Sequence, residues 1–177
     1  MKSLRILSIV CGLFAAGYST AGEKDAATES RVKVVYESPE KFTDFNTSGI
    51  GAADEKDLQY LTGMFTAHIE KLAKKVLAPD ERLEITFKDI DLAGQFEPER
   101  GPAMQDVRIY RDITYPRMHF FFRVLGPDGH VRAEGERKLT DMDYNMKIRL
   151  PTSDMNYRPD MDLLSDWMGS EFKQKKH

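Results

Sequence analysis

The stretch Arg82-Leu83-Glu84-Ile85-Thr86-Phe87-Lys88-Asp89-Ile90-Asp91-Leu92-Ala93-Gly94 decides how this chain folds. Leu83, Ile85 and Phe87 alternate with Glu84, Thr86 and Lys88, the period of a strand with one buried and one wetted face. At Lys88 the parity breaks. Asp89 takes the apolar phase, and Ile90 and Leu92 continue the apolar row in the opposite one. A bulge or a strand-to-turn bend is therefore expected between Lys88 and Asp91, with Gly94 ending the segment.

A helix precedes this strand. Leu58, Leu61, Phe65, Ile69, Leu72 and Val76 recur at spacings of three or four, so they share one face, while Lys56, Glu70, Lys74 and Lys75 are solvated. Asp54 is placed to cap it, Glu55 and Asp57 suit its positive end, and Pro79 marks its stop. Before it, Val32, Val34 and Tyr36 alternate with Lys33, Val35 and Glu37 in a first strand at 31–37, which Pro39 stops. A loop with Asn46, Ser48, Gly49 and Gly51 connects the two.

Beyond Gly94, residues 95–105 are rich in Pro, Gly and charge and read as a loop. Alternation resumes with Val107, Ile109 and Ile113 inward against Arg108, Tyr110 and Asp112. Met118, Phe120, Phe122 and Val124 form the next inward row, and Phe121 and Leu125 on its reverse suggest partial cover by a helix. Gly126-Pro127-Asp128-Gly129 is a turn, followed by Val131, Ala133, Gly135 and Leu139. Tyr144, Met146, Ile148 and Leu150 give a sixth strand before Pro151. A closing helix from near Pro159 and Asp160 carries Met161, Leu164, Trp167, Met168 and Phe172 on its apolar side. The expected fold is α+β: a mostly antiparallel six-stranded sheet, its last four strands a meander, packed against one long helix and a shorter C-terminal helix.

The N-terminus predicts the compartment. Lys2 and Arg5 precede an apolar run from Ile6 to Ala16, and small residues follow at Ser19 and Ala21. That is the order of a secretory signal peptide covering 1–21, with cleavage before Gly22. The apolar run is about eleven residues, short of the roughly 20 that a spanning helix needs, so no integral membrane segment is expected in the mature protein. Val10 before Cys11 argues against lipidation, and removing the leader removes the chain's one cysteine. Residues 22–30 read as a flexible tether, 31–173 as one domain of ordinary size, and 174–177 as a frayed tail. With 26 basic and 29 acidic residues the formal charge is -3, which excludes a generally cationic nucleic-acid binder. A periplasmic location is the expectation.

Candidate chemistry centres on acids and one histidine. Asp89 and Asp91 are spaced to share one side of an extended segment and to take a hard cation, with Asp141 or Asp143 joining from another turn. The plainer reading has Asp89 capping a bulge or pairing with an arginine, and Asp91 ordering the turn before Gly94. His119 on its strand is a candidate base, with no serine or threonine marked out as its nucleophile. His68 and His130 read as packing or surface residues. Arg108, Arg117, Arg123, Arg132 and Arg137 form either an anion-binding patch or a set of surface salt bridges. No catalytic, cofactor or metal residue is assigned. The expected function is an exported periplasmic accessory or binding protein without enzymatic activity, its partner an unidentified periplasmic protein or small ligand. The alternative is a metal-assisted hydrolase with an acidic site near Asp89 and Asp91 and with His119.

Several segments together resemble a bacterial family known as domain of unknown function 3016. They are Pro39-Glu40-Lys41-Phe42-Thr43-Asp44, Asp89-Ile90-Asp91-Leu92-Ala93-Gly94, Tyr115-Pro116-Arg117-Met118, Gly129, Gly135, Leu139-Thr140-Asp141-Met142 and Asp166-Trp167. The resemblance implies an exported bacterial protein of unestablished function and supplies no catalytic residue.

Overall fold

A computed structural model describes residues 30–147 and 157–172. The expected leader at 1–21, most of the tether, the last residues of the sixth predicted strand and the tail at 174–177 lie outside the described residues. Six strands and two helices follow in the order β1 (Val32–Tyr36), α1 (Glu55–Val76), β2 (Arg82–Asp91), β3 (Gln95–Phe96), β4 (Arg108–Ile109), β5 (Arg117–Leu125), β6 (Val131–Thr140) and α2 (Arg158–Glu171).

The strands do not make one sheet. β1, β2, β5 and β6 form a four-stranded mixed sheet in the order β1-β2-β5-β6, and β3 and β4 form a separate two-stranded ribbon. β1 runs parallel to β2, whereas β2–β5 and β5–β6 are antiparallel. A parallel pair needs a crossover connection, and α1 supplies it. The six-stranded antiparallel expectation is thus corrected to an α+β fold with a four-stranded sheet, a ribbon and two helices. Two causes are visible. Residues 144–146 wind into a 3-10 turn, with Tyr144 fully buried and Met146 83% exposed, so their apparent alternation is not that of a strand. Around β4 the parity is inverted: Val107 is 43% and Ile113 78% exposed, while the Arg108 side chain is only 4% exposed.

α1 begins as its sequence predicts. The Asp57 amide donates to Asp54 Oδ1 at 2.8 Å and the Asp54 amide to Asp57 Oδ2 at 3.3 Å, a reciprocal capping box. Leu61, Phe65, Ile69 and Ala73 are buried, and Leu58, Leu72 and Val76 pack at the margin. This face meets Leu83, Ile85 and Phe87 of β2 and Phe120 and Phe122 of β5 in one core. Rings fill much of it. Phe87 lies 5.2 Å from Tyr36 and 5.3 Å from Phe120, and Trp167 of α2 stands edge-on to Phe120 and Phe122 at 4.6 and 5.4 Å. The stacked Tyr36–Phe87 pair and the tilted or edge-on contacts of the others are the favoured aromatic geometries. The Arg137 guanidinium of β6 clamps Glu171 at 2.8 and 2.7 Å and covers Phe122, closing α2 onto the sheet.

Both helices join this core, and the opposite face of the sheet carries charge instead. Lys88 and His119 meet Glu136 at 2.7 and 2.8 Å, and Arg123 meets Glu134 at 3.1 Å. Phe121 lies on that face half-buried with Arg123 5.8 Å from its ring, so neighbouring side chains, not the expected helix, cover it. Alternating charge along β6 discourages pairing with another sheet at this edge.

These faces make different demands on stability. Phe65→Ala removes a ring with no solvent exposure and is expected to cost about 3–5 kcal/mol, through lost transfer energy and a residual cavity. Lys74→Ala on the solvated side should stay within about 0.5 kcal/mol. Urea unfolding of the two variants checks the assignment, and similar losses in both would contradict it.

Candidate functional site

The end of the sheet where β2 stops and β5 starts is built by the broken parity at Lys88. The β2–β5 register shifts between Phe87 and Asp89, and beyond it Asp89 faces His119 and Asp91 faces Arg117. One extra residue therefore brings both carboxylates to the charged face while Ile90 and Leu92 remain in the core. The chain leaving β1 then returns to this end. After the 3-10 turn Pro39–Lys41, Asp44 pairs alongside Asp91 as a parallel bridge, its amide donating to Ile90 O and its carbonyl accepting from the Leu92 amide. Asp89 fixes the return by accepting from the Thr43 amide at 2.7 Å and the Thr43 hydroxyl at 2.8 Å.

Arg108 arrives from β4 beneath Asp44. Its Nη1 and Nη2 donate to the two Asp44 oxygens at 2.7 and 3.0 Å, and the same nitrogens reach Gly94 O at 3.1 Å and Asn46 O at 3.2 Å. The Phe96 ring lies under the guanidinium at 4.5 Å. Burial disfavours the Arg108 charge, yet the bonds and charge of Asp44 outweigh that and raise its pKa. Two glycines permit the close approach. At Gly94 φ is +76°, and a Cβ would fall 2.8 Å from Ile109 O and 3.0 Å from Arg108 Cγ. At Gly49 a Cβ would fall 2.6 Å from Phe96 Cβ.

Above this floor opens a cleft of about 550 Å³. Thr43, Asp44, Asn46, Asp91, Phe96, Tyr115 and Arg117 are among its walls. Arg117 donates to Asp91 Oδ2 through Nε at 2.8 Å and Nη2 at 2.6 Å and stacks 5.0 Å from the Tyr115 ring. Burial pushes the Asp91 carboxyl up, and Arg117 pulls it back. The walls thus hold the Asp91–Arg117 pair, the Asp44 carboxylate fixed by Arg108 from beneath, further polar atoms and two rings, a polar lining.

Behind the floor lies a group that the sequence reading placed only as a favourable first-turn acid. Asp160 of α2 has no solvent exposure; its Oδ1 accepts from the Ala93 amide at 3.0 Å, and its Oδ2 is buried without a hydrogen-bond partner among the described residues. Burial pushes its pKa up to about 7, with the Ala93 amide and Arg108 opposing. Arg108 Nε is likewise buried without a partner.

The structure sorts the other candidates. Asp89, Asp91 and His119 share one face, but each is engaged elsewhere, with Thr43, Arg117 and Glu136 respectively. Only Asp91 of the three lines the cleft. Asp141 pairs with Lys147 at 2.7 Å and accepts from the Asp143 amide at 3.2 Å. Among the described residues no group of three or more His, Cys, Asp and Glu side chains is arranged to hold a metal ion. All five candidate arginines sit in ion pairs, Arg108 with Asp44, Arg117 with Asp91, Arg123 with Glu134, Arg132 with Asp128 and Arg137 with Glu171. They are salt bridges and not an anion patch. His68 clasps α1 to α2 through Met161 O and Ser165 Oγ, both at 3.0 Å, and burial lowers its pKa.

Fold and cleft define an α+β domain with a mixed sheet and a polar pocket at one sheet end, without a helix among the described residues that is long and apolar enough to cross a membrane. The chain belongs to the family described as protein of unknown function (DUF3016), whose match covers residues 30–170. Comparison with curated proteins finds no match, and comparison with solved structures finds none.

Asp160 gives the site a pH signature. A folded pKa near 7 against about 4 in the unfolded chain means that the native state binds the extra proton between those values. The contribution to stability is complete below pH 4 and is lost as pH rises through 7, at up to roughly 1.4 kcal/mol per pH unit. Asp160→Asn removes this term, while His68, whose lowered pKa acts with the opposite sign, is common to both proteins. The stability of wild type relative to Asp160→Asn, from urea unfolding between pH 4 and 8, should therefore fall with pH. A flat difference would contradict the buried-acid assignment.

Proposed function

We propose that the protein is an exported, periplasmic, non-enzymatic binding or accessory protein whose ligand site is the cleft between Asp44 and Arg117. The single observation that carries the reading is that the cleft's carboxylates, Asp44 and Asp91, are each held by an arginine. Both Asp44 oxygens are taken by Arg108 and Asp91 is fixed through Oδ2 by Arg117, so the two carboxylates are oriented by the protein, which suits positioning a ligand. The free capacity of the walls, with Asp91 Oδ1, the Asn46 amide nitrogen and the exposed rim of Arg117, suits hydrogen bonding to a small polar ligand. Export is supported by the basic–apolar–small order of residues 1–21. The resemblance of the segments around Asp89-Ile90-Asp91-Leu92-Ala93-Gly94 to a bacterial family supports a bacterial source.

The full chain expressed with its own leader provides the test. Intact-mass analysis of the periplasmic fraction should show a chain beginning at Gly22. Native mass spectrometry of that material should show a small molecule retained by wild type and lost when Asn46→Trp fills the cleft. Retention of residues 1–21, or equal ligand retention by the filled variant, would overturn the corresponding half of the proposal.

A further inference from the structure

We infer that the cleft floor is a proton-responsive switch, in which the Arg108 guanidinium is divided between Asp44 on the cleft wall and Asp160 buried behind it. This rests on the cleft being the binding site and names how that site is regulated.

The geometry is that of an incomplete triad. Arg108 spends Nη1 and Nη2 on Asp44 and on the Gly94 and Asn46 carbonyls, while its Nε is buried and takes no partner among the described residues. Asp160 spends Oδ1 on the Ala93 amide, while its Oδ2 is buried and takes no hydrogen-bond partner among the described residues. Both residues grip the same dipeptide, Asp160 at Ala93 N and Arg108 at Gly94 O. An orphaned donor and an orphaned acceptor are therefore held against one short stretch of backbone. A buried polar atom left unmatched costs free energy, so a state that joins the two has a driving force.

Charge decides which state is occupied. With Asp160 protonated, Arg108 faces one carboxylate and the fork to Asp44 is complete. With Asp160 ionised, two carboxylates compete for one guanidinium, and Nε with Oδ2 becomes a charge-assisted pair. Arg108 is then drawn from Asp44, whose side chain is 20% exposed and lines the cleft. The walls change from charge-balanced, Asp44 and Asp91 against Arg108 and Arg117, towards net negative.

The groups around Asp160 leave it as the titrating member. Arg108 of β4 and Asp44 of the returning loop act on it directly. Tyr110 beyond β4 and Tyr157 before α2 also face it, and burial raises both phenols so that they stay neutral through this range. On its own helix, Arg158 and Asp162 are engaged in interactions of their own. Asp57 and Tyr60 of α1 reach the cluster only through Tyr157. An exported protein takes the pH of its surroundings, so such a group is set by the medium.

NMR titration of the folded protein from pH 5 to 8.5 tests the switch without any ligand. In wild type the Asp160 and Asp44 carboxyl carbons, the Ala93 amide and Arg108 Nε should move together with one midpoint near 7. In Asp160→Asn, which keeps the acceptor and the fold, Arg108 Nε and the Asp44 carboxyl should stay at their low-pH positions. In Asp44→Asn the guanidinium is free to serve Asp160, whose midpoint should fall by about one unit or more. Titration of Asp160 that leaves Asp44 and Arg108 unmoved, or an unchanged Arg108 transition in Asp160→Asn, would overturn the inference. Loss of the cleft ligand in native mass spectrometry with the switch intact would instead fail the binding proposal alone.

Discussion

An ion pair between the buried Arg108 guanidinium and the Asp44 carboxylate at the cleft wall fixes the end of this molecule where three parts of the chain meet. Asp44 returns from β1, Gly94 and Ala93 leave β2, and Arg108 belongs to a ribbon strand of two residues. Short strands bury little area, so β3 and β4 gain little from their own pairing. Bidentate contact with Asp44, further bonds to backbone carbonyls and the Phe96 ring anchor the ribbon to the sheet. Taking both charges out of water is costly, and replacing such pairs with apolar residues can even stabilise. Specificity is the better account of why they are here: one geometry of the fork satisfies all partners at once. The ion pairs on the charged sheet face are different. Lys88–Glu136 and Arg123–Glu134 are largely solvated and each adds at most about 1 kcal/mol.

The ribbon's second anchor repeats the pattern on a smaller scale. Glu97 is buried with Arg111 and Arg100 each 2.7 Å from its carboxylate, and the Tyr144 hydroxyl donates to Arg111 O at 2.8 Å. The Gln95 amide, together with the Arg111 and Arg100 guanidinium groups, holds the Glu97 carboxyl below the usual range. A loop region is thereby held against a rigid aromatic core, the common arrangement for binding sites carried on connecting segments.

Much of the scaffold was legible in the residues alone. The break in parity at Lys88 located the bulge, Asp54 located the start of α1, and Trp167 was placed on the apolar side of the closing helix, where it touches Phe120 and Phe122. The direction of β1 was not legible, because an apolar row reads the same for a parallel and an antiparallel neighbour. The alternation at 107–113 misled for another reason: burial at Arg108 is set by polar partners brought from afar, which a local pattern does not contain, and at 144–146 a 3-10 turn buries Tyr144 but exposes Met146. Asp160 did leave a trace. It stands four, seven and eight residues before Leu164, Trp167 and Met168, squarely in the helix's apolar row, where an acid must find partners or hold a proton.

The role of the Arg108–Asp44 pair is tested most directly by a double-mutant cycle in urea unfolding, with Arg108→Ala, Asp44→Ala and both together. At pH 5 Asp160 holds its proton and offers Arg108 no second carboxylate. If the pair organises this end of the fold, each single substitution at that pH leaves one charge of the pair without its partner and costs about 3–5 kcal/mol, and the double variant costs little more than either one. Losses that simply add would contradict the account.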